Sequence, residues 1–273
     1  MSYKVSAYIP CYNNSTTILE TIRSLQAQTC SLDEIFVIDD GSTDGSLEKV
    51  KSEGTRLVCH SKNLGRGAVR FEAMKQAKNE LVLSCDANKF IRNDFVEKAL
   101  IWFKDKQVAA VYGNFIPLIS SEVIQRWFFR HIFGEVTVKV PKFKALLATG
   151  GAIVRKTAVI NSGNYNPVLH YSEDADLGKR LLGQGYQVIF DPCLENIALG
   201  KDNLFKVLMR HLRWCGDEHR KVNLKWYFRQ IYYAFKVMAP RDIKANDFVC
   251  MLISLFSPHY QFWYSWYNKH IYI

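Results

Sequence analysis

Two hydrophobic periods alternate along the first 115 residues. Residues 5–9 form a short apolar run that predicts a buried strand. Asn13-Asn14-Ser15 then supplies turn and capping chemistry ahead of Ile18, Ile22 and Leu25 at helical spacing. The alternation continues with a strand over 34–38 running into Asp39-Asp40-Gly41-Ser42, a helix over 46–52, a strand over 56–59 and a helix over 67–78. A strand over 81–85 then enters the turn Asp86-Ala87-Asn88, before a helix over 94–104 and a strand over 108–111. Repeated strand–helix units with short connections predict an α/β fold, an open, mainly parallel sheet with helices on both faces. Such sheets bind ligands beyond the carboxyl ends of their strands, which makes the polar turns there the candidate chemistry.

The stretch 116–147 has no clear period and reads as a mobile loop or an acceptor-side insertion. A third acidic turn, Glu173-Asp174-Asp176, opens a helix carrying Leu177, Leu181 and Leu182, which ends near Gly183-Gln184-Gly185 and precedes a strand over 186–190. Beyond Lys201 the period is helical throughout: 204–220, 224–238, and 245–267 with a break at Pro258. The pattern divides the chain into a body, 1–200, and a helical extension, 201–273.

Charge follows the same division. The chain of 273 residues carries a formal net charge of +10, yet residues 1–200 hold 24 basic and 21 acidic side chains, and residues 201–273 hold 12 and 5. Fifteen of the 37 aromatic residues fall in 222–273. Body and extension therefore do different jobs. The seven cysteines are scattered without a C-x-x-C pair, which predicts reduced thiols in a cytoplasmic setting, and no apolar leader block precedes the first strand.

No G-x-x-x-x-G-K-[ST] loop is present, and no G-x-G-x-x-G follows the first strand; Gly65-Arg66-Gly67 is a fragment of such a loop. Dehydrogenase and P-loop chemistry are thereby disfavoured. The runs VSAYIPCYNN, LQAQT and DEIFVIDDGSTDGS, followed in order by KNLGRGAVR, ELVLSCDAN, TGGAIVRKTAVINSGNY and SEDADLGKRLLGQGYQV, resemble family 2 glycosyltransferases over residues 3–220. These are inverting nucleotide-sugar enzymes with the GT-A fold, a Rossmann-like sheet flanked by helices.

The resemblance implies a role for each turn. Asp40, with Asp39 beside it, matches the carboxylate that accepts the imino N–H of a nucleotide base, and Pro10, Tyr12 and Asn13 fall on the loop lining base and ribose. Lys62, Asn63, Arg66 and Arg70 match the segment reaching the diphosphate or base. Asp86, Ala87 and Asn88 occupy the D-x-D metal turn. Asp86 and Asn88 would hold Mn²⁺ or Mg²⁺, weakly, because an amide replaces the second carboxylate. Asp174 aligns with the general base that deprotonates the acceptor hydroxyl, with Glu173 and Asp176 as helix caps or acceptor contacts. Gly150 and Gly151 match a close-approach turn at the sugar or acceptor. Arg210, Arg213 and Trp214 resemble the Q-x-x-R-W segment of processive relatives, with Arg210 in place of Gln, and point to the diphosphate or acceptor. A line of His211, Cys215 and His219 at helical spacing offers a weaker zinc alternative.

Residues 248–268 contain no formally charged side chain, and basic residues precede them. This predicts attachment to an anionic membrane surface at the cytoplasmic face; a packed helical subdomain or an oligomer interface is the alternative. The acidic strand-end turns and the absence of any nucleic-acid motif argue against nucleic acid. The sequence thus predicts transfer of a sugar from a nucleotide-sugar, a UDP-sugar first with GDP and TDP left open, to a lipid-linked or surface-glycan acceptor. Transfer directly to a polyprenyl phosphate and a catalytically weak binding subunit are the rivals.

Overall fold

The computed structural model describes residues 3–117, 122–133, 141–199, 203–215 and 222–269. They group into two compact units. The first comprises residues 1–116 and 138–200, the second 117–137 and 201–273. The aperiodic stretch after residue 116 is therefore shared: its Trp127 and Phe128 belong to the apolar core of the helical unit.

The first unit holds β1 (Val5–Cys11), α1 (Ile18–Gln26), β2 (Glu34–Asp39), α2 (Ser46–Ser52), β3 (Arg56–Cys59), α3 (Arg66–Gln76), β4 (Leu81–Ser84), β5 (Lys89–Ile91), α4 (Phe95–Leu100), β6 (Val108–Pro117), β7 (Ala152–Arg155), α6 (Lys156–Asn161), α7 (Glu173–Gly183) and β8 (Gln187–Ala198). The second holds α5 (Val123–Phe128), α8 (Leu204–Cys215), α9 (Leu224–Tyr233), α10 (Ala239–Lys244) and α11 (Phe248–Lys269).

Eight strands form one sheet in the order β3-β2-β1-β4-β7-β6-β8-β5. The pairs β2–β3, β1–β2 and β1–β4 are parallel, whereas β4–β7, β6–β7 and β5–β8 are antiparallel. The mainly parallel expectation therefore holds for the half built from regular strand–helix units and gives way to a mixed sheet beyond β4. β1 is buried on both faces: Val5, Ala7 and Ile9 join the core beneath α1 and α4, while Tyr8 joins the core beneath α3 and α7.

Two local expectations change. β8 runs on through Pro192 to Ala198, where the sequence predicts an end near residue 190; the Asp191 carboxylate takes the Cys193 N–H at 2.9 Å beside the proline. α11 also continues through Pro258. Proline cannot donate to the Ser254 carbonyl, and Ser257 Oγ donates to that oxygen instead, at 2.9 Å. No helix among the described residues is long and apolar enough to cross a membrane.

Candidate active site

The 39–40 turn closes β2, the 86–88 turn follows β4 and the 173–174 turn opens α7; Arg70 bonds to the last two. Asp39 and Asp40 end β2, both buried. Asp39 Oδ2 accepts the N–H groups of Gly41 and Ser42, at 3.1 and 2.8 Å, which shapes the turn. Its Oδ1 is buried with no hydrogen-bond partner among the described residues. Asp40 is committed to the chain itself. It accepts from the N–H groups of Leu64 and Gly65, each at 2.9 Å, and lies 2.8 Å from His60 Nδ1. It thus anchors the loop that carries Lys62, Asn63 and Arg66, all exposed. Asn13, in the left-handed region at φ 53°, accepts from Thr43 N–H at 2.9 Å and ties the β1 loop to the β2 turn. Tyr12 stands 48% exposed on that loop, and Pro10 is half-buried at the end of β1.

The Asp40-anchored loop packs against the segment before the 173–174 turn. Gly67 donates its N–H to Leu169 O at 2.9 Å. A Cβ on Gly67 would stand 2.1 Å from Asn166 O, so only glycine admits this backbone contact. A Cβ on Gly65, itself at φ 90°, would strike the His170 ring.

Arg70 is turned inward, not toward a ligand. It is 2% exposed, and its guanidinium donates to Glu173 Oε1 (2.8 Å), Tyr8 Oη (3.1 Å), Ser84 Oγ (2.5 Å) and Asp86 Oδ1 (3.0 Å). With four of its five N–H donors bonded inside the protein, it joins β1, β4, the Asp86 turn and the start of α7. Glu173, equally buried, is its partner and faces no acceptor. Ala87 is likewise part of the core; its carbonyl accepts the hydroxyls of Thr17 and Thr21 at 2.8 and 3.0 Å.

Asp86 keeps 26% of its side chain exposed. Burial works to raise its pKa, but the charges of Arg70, Arg66 and Lys89 outweigh that and hold it below the usual carboxylate range. A Cβ on Gly150 would come 2.6 Å from the Phe115 ring and 3.1 Å from Asp86 Oδ2. One on Gly151 would meet the Asn196 amide at 2.7 Å. Asn196 is fully buried, with neither amide atom bonded within the protein. Both glycines are close-approach positions beside Asp86 and Asn196.

The described residues contain no group of three His, Cys, Asp or Glu side chains able to hold a metal. With Oδ1 of Asp86 bonded to Arg70, the chain offers Asp86 Oδ2 and the half-buried Asn88 amide. That set fits a hard divalent cation that takes its remaining oxygens from a diphosphate and water. Of the zinc alternative only His211 lies among the described side chains: it is buried, with Nδ1 3.1 Å from the Gln261 amide; the Cys215 side chain and His219 lie outside the described residues.

Asp174 sits at the N-terminal turn of α7, half-exposed, after Ser172 at φ 60°. Its Oδ2 accepts from the Thr149 N–H and hydroxyl at 3.3 and 3.4 Å, and Oδ1 accepts the Ala175 N–H at 2.8 Å. Burial and the neighbouring Glu173 charge raise its pKa above the ordinary aspartate value, against the pull of Arg70. Asp174 also contributes, after burial, to lifting the Tyr112 hydroxyl to about 12. Asp176 pairs with Arg180 at 2.7 Å along the helix. Tyr8, Ser84 and Thr149 lie inside the motif runs but are not singled out in them, and Asn196 lies in none; only placement reveals the part each plays.

In the helical unit, Arg210 stacks its guanidinium 5.2 Å from the Phe128 ring centre. The side chains of Arg213 and Trp214 lie outside the described residues.

The Glycosyl transferase family 2 model matches residues 6–162. The chain is 25% identical over 236 residues to a poly-beta-1,6-N-acetyl-D-glucosamine synthase of Staphylococcus aureus, covering 82% of this chain and 56% of that protein. It is 30% identical over 123 residues to a hyaluronan synthase of Streptococcus pyogenes, covering 41% of this chain and 29% of the synthase. The chain thus spans about half the length of the first relative and less of the second. Among solved structures, the mannosyltransferase PcManGT from Pyrobaculum calidifontis, in complex with GDP-Man and Mn²⁺, aligns over 94% of this chain and 74% of its own, with TM-score 0.62 at 17% identity. S. aureus TarS 1-349, in complex with UDP-GlcNAc, aligns over 93% and 91%, with TM-score 0.57 at 17% identity. At that identity the likeness is one of fold.

Proposed function

The chain belongs to glycosyl transferase family 2 and is a glycosyltransferase; from that premise we propose that it transfers a sugar, with inversion, from a nucleotide-sugar to a hydroxyl of a glycan acceptor in polysaccharide or surface-glycan synthesis. The observation that carries this reading is Asp174: a half-exposed carboxylate, oriented by Thr149 and Ala175, whose basicity burial and Glu173 raise. A general base needs that combination of access, fixed direction and raised pKa.

In this scheme Asp174 takes the proton of the acceptor hydroxyl as its oxygen attacks the anomeric carbon. The carbon–oxygen bond to the diphosphate breaks on the opposite face. Arg66 and Lys89, whose charges bear on Asp86, stabilise the leaving diphosphate. A divalent cation held by Asp86 and Asn88 would neutralise charge on the same group. Arg70 keeps Asp86 ionised and Glu173 in place. The unpartnered Asp39 Oδ1 supplies an acceptor for the base imino N–H, with Asp40 fixing the Lys62–Arg66 loop. A uracil base and a UDP-sugar donor fit this acceptor, as does guanine. TarS with its UDP-GlcNAc supports the UDP choice, PcManGT with its GDP-Man is the counter-example that the donor panel addresses, and the synthase relatives support a glycan acceptor.

The test is donor hydrolysis and transfer with a panel of UDP-, GDP- and TDP-sugars, each with and without Mn²⁺. Turnover of one donor class that disappears in Asp174→Asn supports the reading. Nucleotide binding without turnover on glycan or lipid-linked acceptors would instead make the chain a binding subunit.

A further inference from the structure

α11 is built inside out. Its inward face presents Cys250, Ser254, Ser257 and Gln261, all at most 1% exposed, to the rest of the helical unit. Its outward face presents Phe248, Leu252, Phe256, Trp263 and Tyr267, each 45–63% exposed. The inward polar groups are satisfied: Ser254 Oγ donates to Asp242 Oδ2 at 2.6 Å, and the Gln261 amide donates to Leu208 O at 2.8 Å. A helix selected to meet water would show the reverse pattern.

α9 adds a second apolar stripe on the same unit. Leu224, Phe228 and Tyr232 on α9, and Phe235 on the π-helical turn Ala234–Met238 that continues it, recur at i, i+4, i+8 and i+11, all exposed, while Trp226, Ala234 and Met238 face the core. Tyr227 and Phe262, whose ring centres are 4.5 Å apart, join this helix to α11. Next to the apolar stripe run the exposed cations Lys225, Arg229 and Lys236, with Lys244 on α10. Asp242 and Asp247 are buried in ion pairs with Arg130 and Arg126, so neither offsets these charges at the surface.

We propose that the outer faces of α9 and α11 form a docking surface for an anionic lipid bilayer, with the helices lying along the interface. An apolar, aromatic-rich face rimmed by Lys and Arg suits the boundary between anionic headgroups and acyl chains, where aromatic rings sit at headgroup level. A second copy of this chain fits less well, because it would bring the cationic rims together, and among the described residues of this unit no exposed carboxylate lies beside them. The inference stands apart from the donor site and does not rest on the proposed reaction.

The full chain is mixed with vesicles of phosphatidylcholine alone, or with phosphatidylglycerol added, at low and high salt; co-sedimentation and tryptophan emission are followed. The expected result is binding to the anionic vesicles, a blue shift on binding, and weakening by salt. Lys225→Glu/Arg229→Glu/Lys236→Glu lowers partitioning roughly a hundredfold, and Phe228→Ser/Trp263→Ser abolishes the blue shift. All five side chains are exposed, so circular dichroism should report an unchanged fold. Absence of binding to either vesicle by the folded wild type overturns the proposal, as does a wild-type dimer in light scattering that Phe228→Ser/Trp263→Ser converts to monomer. Binding that is equal for neutral and anionic vesicles also overturns the charge-selective surface.

Discussion

Arg70 Nε donates to Glu173 Oε1 at 2.8 Å across 103 residues of sequence, in the interior of the sheet–helix layer. The bond links α3 to α7, the helix that carries Asp174. Both side chains are buried, and between them they fix the start of α7 against the Asp86 turn.

Breaking this pair leaves Glu173 and Asp86 without their shared cation. Arg70→Met is expected to destabilise the first unit by about 3–5 kcal/mol, as buried pairs do when one partner is removed. Arg70→Met/Glu173→Gln should recover part of that loss, because it no longer strands the Glu173 charge. Urea titration of the variants measures both. Additive losses would show that the pair is not coupled.

Asp174→Asn should cut turnover by about 10²–10⁴ without loss of stability. The sign follows from the raised pKa: the folded state holds a proton on Asp174 more readily than the unfolded chain does. Ionised Asp174 is therefore a cost to folding above its folded pKa, and that cost vanishes as pH falls below the unfolded value. The acid limb of kcat/KM should likewise lie above the ordinary aspartate value of 3.8. Melting curves, and pH–rate profiles of the wild type, check the two halves. A variant both inactive and unfolded would point to a structural role.

Asn88→Asp adds the second carboxylate at the metal turn. The expected outcome is a several-fold lower Mn²⁺ concentration for half-maximal activation, read from donor hydrolysis against added metal. An unchanged activation curve would place the cation elsewhere.

The helical unit should lose stability in mild acid. Burial, reinforced by the nearby His131, depresses His211 to about 4 from 6.5. The unfolded chain takes up a proton as pH falls below about 6.5, while the folded unit does not until about 4. Stability present above 6.5 is therefore lost across that window, by about 3 kcal/mol. Trp127, whose ring centre lies 5.3 Å from that of His211, reports the change. Near-ultraviolet dichroism against urea at pH 7 and pH 4.5 measures it, and His211→Leu should flatten the difference.

How much of this was legible in the chain depends on the range of the interaction. Alternating short apolar runs and helical stripes predicted β1 to β4 and the helices between them, because period and turn chemistry are local properties of sequence. The polar turns at 39–40, 86–88 and 173–174 were legible for the same reason. The mixed sense of the far half of the sheet was not, since strand direction depends on the path of long connections. Pro258 was read as a break because its lost hydrogen bond is local, whereas the remedy from Ser257 depends on a particular rotamer.

The sequence alone determined the family, the fold class and the three acidic turns, each encoded in residues close together along the chain. Tertiary structure alone decided how those residues are partnered. Arg70 and Glu173 are neutralised against each other, and Asp40 is bonded to the 64–65 backbone. Asp39 Oδ1 is buried without a hydrogen-bond partner, and Asp174 is only partly buried. It also decided that α11 turns its polar residues inward and its aromatic residues out, because a helical period records two faces without saying which one packs.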